Sequence, residues 1–149
     1  MKIFITMPKN GTSDSFLTPR NLELLHSIGQ VEQNPYDHNL KVEEVLELAK
    51  DADVLITCWG TCLYHKEDVL KMPNLKLIAH FAGSVAPVVA QDVYETDVKV
   101  ISGNDVFAKS VAEGCLCYTL AALRRLEHYM DVMRTGGFKE TVFYNRGLF

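Results

Sequence analysis

A chain of 149 residues, 48% hydrophobic and 23% charged, has the length and composition of one globular domain with one core, and leaves no room for a second full domain. Its formal charge of −4 is spread along the sequence with no cluster of lysine and arginine, which excludes a nucleic-acid footprint and a polybasic membrane patch. No unbroken apolar run reaches the ~18 residues of a membrane helix, and Met1-Lys2-Ile3 enters a strand pattern without a signal-peptide cleavage pattern. The expectation is a cytoplasmic protein with neither membrane nor nucleic acid as partner.

Residues 2–6, KIFIT, are a short β-branched and aromatic run that predicts a first strand. A turn-rich stretch follows over 8–15, and Thr18-Pro19 opens a helix with proline at its first position. Leu22, Leu24, Leu25 and Ile28 give that helix an apolar side, and Gly29 stops it. Residues 30–33 predict a weak second strand, in which Val31 is the one apolar side chain, before a polar loop over 34–39. Val42, Val45, Leu46 and Ala49 recur at helical spacing, and 53–57, DVLIT, reads as a buried strand. The pattern repeats with a short helix over 65–71, a turn at Pro73-Asn74, and a continuously apolar strand over 75–80. A segment over 85–94 is expected to cover that strand, and 98–102 predicts a fifth.

Five strands alternating with helices imply an α/β fold with an open parallel sheet, because each parallel crossover needs a connecting helix. Ligands bind such sheets beyond the carboxyl ends of the strands, so the loops 7–15, 58–64 and 81–87 are the candidate binding loops. The four cysteines are spaced C-x3-C (Cys58, Cys62) and C-x-C (Cys115, Cys117). Neither spacing matches a zinc knuckle, so free thiols and no metal are expected.

After the fifth strand the sequence changes character. Ser110-Val-Ala-Glu113 has the form of a capping box, opening the longest predicted helix. Ala112, Cys115, Leu116, Thr119, Ala122, Leu123, Leu126, Met130 and Met133 trace one apolar stripe, and Gly136-Gly137 supplies the stop. A five-strand domain has no need of a helix of roughly 25 residues, ~37 Å long, so this one is expected to project toward a partner domain or subunit. The final stretch, ETVFYNRGLF, is apolar where a finished domain trails off in polar residues, and is expected to lead into a further fold.

The ordered set DVLITCWG, MPNLKLIAHFAGSV, VKVISGNDVFAKSVAEG and the long helix resembles the N-terminal half of the D-isomer-specific 2-hydroxyacid dehydrogenases. The residues that carry the likeness are Pro73, Leu75, Lys76, Ile78, Gly83, Val98, Val100, Asn104 and Val111-Ala112-Glu113. The resemblance implies a flavodoxin-like substrate domain over 1–104. Over 105–149 it implies a linker helix and the lead-in to a Rossmann domain whose G-x-G-x-x-G is absent here. It also implies hydride transfer between a nicotinamide, NAD or NADP, and a small 2-keto or 2-hydroxy acid, with the cofactor bound mainly by the missing domain. The family's catalytic His, its Glu partner and its carboxylate-binding Arg lie beyond the matching region. His26, His38, His65, His80 and His128 correspond to none of those positions, so no catalytic residue is assigned and the chain alone is expected to be inactive.

Carried over residue by residue, the likeness places the backbone amides of Ala82, Gly83 and Ser84 against the substrate carboxylate. It gives Trp59 and Gly60 to a second wall of the substrate pocket, and Asn104 and Ser110 to the hinge on the cofactor side. Where many members have Gly-x-Asp-Asn after the turn, GSVAPVV stands here, which points to a subgroup apart from the lactate, glycerate and phosphoglycerate enzymes. Two other classes fit parts of the sequence. One is a non-catalytic module that pairs through the helix over 110–135, a homodimer or higher assembly being expected in any case. The other is an FMN-binding flavodoxin-like protein using the hydroxyl-rich loop 6–15, where Pro8 and Lys9 interrupt the expected Thr/Ser alternation.

Overall fold

The computed structural model describes residues 1–137, so the expectation for the apolar stretch 140–149 lies outside the described residues. Strands β1 (Lys2–Ile5), β2 (Gln30–Gln33), β3 (Val54–Thr57), β4 (Leu77–His80) and β5 (Lys99–Ser102) form one sheet in the order β2-β1-β3-β4-β5. Every pairing is parallel. The chain divides into two compact units, Met1–Asp105 with the whole sheet, and a second that begins at Val106.

Both faces of the sheet are covered, and strand alternation explains the unbroken apolar runs. Phe4, Leu55 and Ile78 point to one face, where Val45 of α3 (Val42–Leu48), Val69 of α4 (Lys66–Val69), Tyr64, Met72 and Val93 pack on them. Ile3, Ile5, Val54, Ile56 and Ala79 point to the other, under Phe16 of α1 (Gly11–Phe16) and Leu22 and Leu25 of α2 (Pro19–Ile28). Leu55 and Ile78 are wholly buried, each contributing ~1.5–3 kcal/mol by the area it removes from water. At the amino ends of the strands the Asp53 carboxylate ties three together. It accepts from the Lys2 backbone amide at 2.8 Å and from Lys76 Nζ at 3.1 Å, and those bonds hold its pKa below the usual carboxylate range.

Several local expectations change. The stretch 8–15 holds a helix, α1, because Asn10 and Ser13 form a capping box: Asn10 Oδ1 accepts from the Ser13 amide at 3.1 Å and Ser13 Oγ from the Asn10 amide at 3.1 Å. The covering segment 85–94 is a turn followed by a 3-10 helix, Gln91–Glu95. Its Val89 makes a parallel bridge with Tyr64, which holds this part extended. The long helix α5 (Asn104–Leu123) starts before Ser110, so the Ser110/Glu113 capping box does not exist. Both residues are exposed inside the helix, and it is Ser102 Oγ that meets the first amide, Asn104 N–H, at 3.4 Å.

The same helix is shorter than expected. Arg125 takes a left-handed conformation, φ 52° and ψ 43°, and separates α5 from α6 (Leu126–Arg134). For a non-glycine residue that costs ~1–2 kcal/mol. Gly136, at φ 80°, ends α6, and the Gly137 amide closes back on the Val132 carbonyl at 3.0 Å. Although it holds no unbroken apolar run of that length, α5, with a mean hydropathy of 1.3, is long and apolar enough to cross a membrane by length and composition. Core helices of globular proteins pass the same test, but those are mostly buried, whereas none of the residues of α5 is buried.

Candidate functional site

The carboxyl edge of the sheet is built from four loops, pinned by short polar side chains. After β1, Thr6 Oγ1 donates to the Ile56 carbonyl at 3.1 Å and lies 3.2 Å from Thr61 Oγ1, which also accepts from the Cys58 amide at 3.2 Å. After β2, buried Asn34 donates from Nδ2 to the carbonyls of Thr6 (3.2 Å) and His38 (2.9 Å), while its Oδ1 accepts from the Tyr36 amide. The loops of β1, β2 and β3 are thereby fixed to one another through buried bonds, each worth about 1 kcal/mol net.

Between them lies a cavity of about 270 Å³. Met7, Pro8, Asn10, Thr12 and Ser13 line it from the β1 side, Cys58, Trp59 and Gly60 from the β3 side, and Asn39 from the β2 loop. Gly60 sits at φ 80°, and a Cβ there would lie 2.3 Å from Asn39 Nδ2, so glycine is required both by the backbone and by the amide packed on it. Trp59 is 60% exposed. Its ring meets the edge of Phe16 at 5.6 Å between centroids, and Phe16 in turn lies 6.3 Å from Phe81, so three loops contribute to one aromatic row.

The turn after β4 forms a second part of this edge. His80 is buried with Nδ1 3.0 Å from Thr57 Oγ1, and desolvation pushes its pKa down, which keeps the ring neutral. The Gly103 amide donates to the carbonyls of both His80 (2.9 Å) and Ala82 (3.0 Å), strapping the turn to the chain leaving β5. Ala82 is buried and Ser84 exposed; a Cβ on Gly83 would stand 3.3 Å from Asn104 Oδ1.

Of the residues expected from sequence, then, Trp59 and Gly60 line the cavity, whereas Ala82, Gly83 and Ser84 are outside the lining given for it, with Gly83 close to Asn104 and Ala82 bonded to Gly103. Ser110 is exposed within α5. Sequence reasoning missed Asn39, Phe16 and Phe81. Phe81 follows a strand directly and could have been found as a loop anchor, but nothing in the local sequence marks Asn39.

Among the described residues no lysine, arginine, histidine or carboxylate lines the cavity. Cys58 is the one titratable side chain there among the described residues, and burial raises its thiol pKa, the opposite of an activated nucleophile. Among the described residues no group of three or more His, Cys, Asp or Glu could hold a metal ion. A larger cavity, 620 Å³, lies within the second unit where α5 breaks into α6, lined by residues such as Ala122, Arg125 and Met130.

The strand order β2-β1-β3-β4-β5, with a crevice at the carboxyl ends, defines the doubly wound, flavodoxin-like class of α/β proteins. The chain is 30% identical over 115 residues to the D-3-phosphoglycerate dehydrogenase of Methanocaldococcus jannaschii, covering 77% of this chain and 21% of that one. It is 26% identical over 140 residues to the glyoxylate reductase of Thermococcus gammatolerans, covering 93% and 39%. Among solved structures, the D-lactate dehydrogenase of Aquifex aeolicus, complexed with NAD and lactic acid, superimposes with a TM-score of 0.63 at 20% identity, over 99% of this chain and 41% of that one. No family model matches. These matches point over most of this chain to D-isomer-specific 2-hydroxyacid dehydrogenases, and the chain spans less than half the length of the relatives it matches.

Proposed function

We propose that this segment is the substrate-side part of an NAD- or NADP-dependent D-2-hydroxyacid dehydrogenase, an oxidoreductase that passes a hydride between nicotinamide and a small 2-keto or 2-hydroxy acid. The observation that carries the reading is the likeness of most of the chain to two such oxidoreductases. The open carboxyl edge with its preformed cavity supports it. Within it, the amides of Ala82, Gly83 and Ser84 would meet the substrate carboxylate, Trp59 and Gly60 would wall the pocket, and Asn104 and Ser110 would belong to the hinge. Domain limits of 1–104 and 105–149 follow from the same reading.

The residues present do not fit a dinucleotide, since no G-x-G-x-x-G occurs in the sequence, so no catalytic step is derived through the cofactor. With no histidine, lysine, arginine or carboxylate among the described residues lining the cavity, the 149-residue chain by itself is expected to transfer no hydride. The test is to read the encoding gene beyond codon 149 and to assay both the present chain and any longer product. Each would be given NADH or NADPH with glyoxylate, pyruvate and hydroxypyruvate. Turnover by the longer product alone is the expected result. Turnover by the present chain overturns its inactivity, and a longer product without nucleotide motif or turnover overturns the dehydrogenase reading.

A second reading, a cytoplasmic module that pairs through the helices over 110–135, is favoured by one observation: Leu116, Leu126 and Met133 are each more than half exposed. The FMN alternative loses support at the β1 loop, where the Ser13 hydroxyl is engaged by Asn10 and cannot cradle a phosphate.

A further inference from the structure

Asn10 and Gly11 are the sole Asn-Gly pair of the chain. The peptide nitrogen that follows an asparagine can attack its side-chain carbonyl, and glycine at that place offers no side chain to hinder the approach and the widest choice of backbone angles. The other asparagines are worse placed. Asn34 precedes Pro35, which has no amide proton, Asn21, Asn39 and Asn74 precede leucine, Asn104 precedes aspartate and Asn145 arginine. The structure adds to this contrast. Asn10 and Gly11 are both exposed, and a Cβ on Gly11 would meet nothing within 4 Å, so water and backbone rotation are both open to the pair. Asn10 Oδ1 accepts from the amides of Thr12 at 3.0 Å and Ser13 at 3.1 Å, which folds the side chain forward over the Gly11 peptide. Negative charge that develops on that oxygen during attack meets the same two donors already in place. Gly11 is the first residue of α1 and has no intrahelical acceptor for its own N–H, so its amide is deprotonated without breaking a helix bond.

We propose that Asn10-Gly11 is a site of spontaneous covalent modification, at which Asn10 is converted to aspartate and isoaspartate through a cyclic imide. Hydroxide takes the Gly11 amide proton, the nitrogen forms a bond to Asn10 Cγ, the Cγ–Nδ2 bond breaks and Nδ2 leaves as ammonia. One water then opens the ring. Addition at Cγ leaves aspartate, and addition at the backbone carbonyl carbon of the same residue leaves isoaspartate; nothing is oxidised or reduced. The two products act oppositely on α1. Aspartate caps a helix about as well as asparagine, so it keeps the bonds to Thr12 and Ser13 and adds a negative charge to the part of the cavity wall that Asn10 provides. Isoaspartate routes the main chain through the side-chain carbon. That removes the cap and shifts the backbone N–H and C=O of residue 10, which Ser13 Oγ holds at 3.1 and 2.8 Å. A helix without its cap frays, and α1 carries Phe16, packed on the apolar cluster of one sheet face.

The 149-residue chain is incubated in mildly alkaline buffer and its peptides are followed by mass spectrometry. The expected result is a gain of one mass unit at Asn10 ahead of every other asparagine, at a rate that rises with pH because the attacking amide must lose its proton. Isoaspartate at that position is read by methyl transfer from S-adenosylmethionine with an isoaspartyl carboxyl methyltransferase. Gly11→Ala has room for its methyl group and keeps the fold by circular dichroism, and it should slow the gain at least about tenfold. After separation by charge, the isoaspartyl fraction should show a lower urea midpoint than fresh protein, whereas the aspartyl fraction and Asn10→Asp should match it. No gain at Asn10, or an earlier gain at another asparagine, overturns the site. A Gly11→Ala chain that reacts as fast as the wild type overturns the imide route. Reaction that occurs only after urea has unfolded the chain overturns the part given to the cap, and an isoaspartyl fraction as stable as fresh protein overturns the effect on α1.

Discussion

Tyr64 carries a hydroxyl sealed in the core with no hydrogen-bond partner among the described residues. The Cys62 thiol is close enough to perturb it, but the two do not meet in ordinary hydrogen-bond geometry, and burial pushes the phenol pKa well above its usual range. An unsatisfied buried hydroxyl costs about 1–3 kcal/mol, so Tyr64→Phe, which removes it and keeps the ring, should stabilise the protein by about 1 kcal/mol. A higher urea midpoint at unchanged slope is the expected observation; a lower one would mean that the hydroxyl has a partner in solution. His80 acts in the opposite sense. Its folded pKa is depressed below the ~6.5 of an exposed histidine, so the unfolded chain binds the extra proton first as pH falls. Stability is then complete above about pH 6.5 and is lost as pH drops through the folded pKa. Urea midpoints measured between about pH 7.5 and 5 should fall in the wild type, and fall less in His80→Gln. A midpoint that does not move over that window would rule the buried neutral ring out.

At the scale of elements, the sequence was most readable where burial is two-sided. β3 and β4 stand out because neither face of those strands tolerates a polar side chain, and Val54, Leu55, Ile56, Ile78 and Ala79 leave a continuous signal. The Thr18-Pro19 start and Gly29 stop of α2 were equally plain, since both are local chemistry: the Thr18 hydroxyl accepts from the Asn21 amide. What failed were signals that depend on context. Ser110-x-x-Glu113 has the letters of a cap, but the helix had already been started at Asn104. Arg125 breaks the helix pair with neither glycine nor proline to announce it. Asn39 is brought to the cavity by a loop whose path is set by buried Asn34, a contact no periodicity encodes. The apolar residues of α5 and α6 carry a prediction of their own. With Leu116, Leu126 and Met133 exposed, the chain should self-associate, and light scattering across a concentration series should show a dimer or larger species. Leu116→Glu with Met133→Glu should return it to a monomer; a wild-type monomer throughout would remove the helices as an interface.

For the molecule as a whole, the order of the sheet differs from the order of synthesis. β1 is made first yet lies inside the sheet, with Lys2 opposite Gln30 on one side and Ile3 opposite Val54 on the other. The two neighbours that bury it arrive only after a helix and a loop have each been traversed, and β5, the far edge, comes last. Loop-closure entropy is therefore spent before any pairing rewards it, which makes parallel sheets of this kind slow to form. On a translating ribosome the Ile3-Phe4-Ile5 stretch keeps one apolar edge unpaired until the third strand has emerged. A segment wholly buried at the end is thus among those most in need of a chaperone at the beginning.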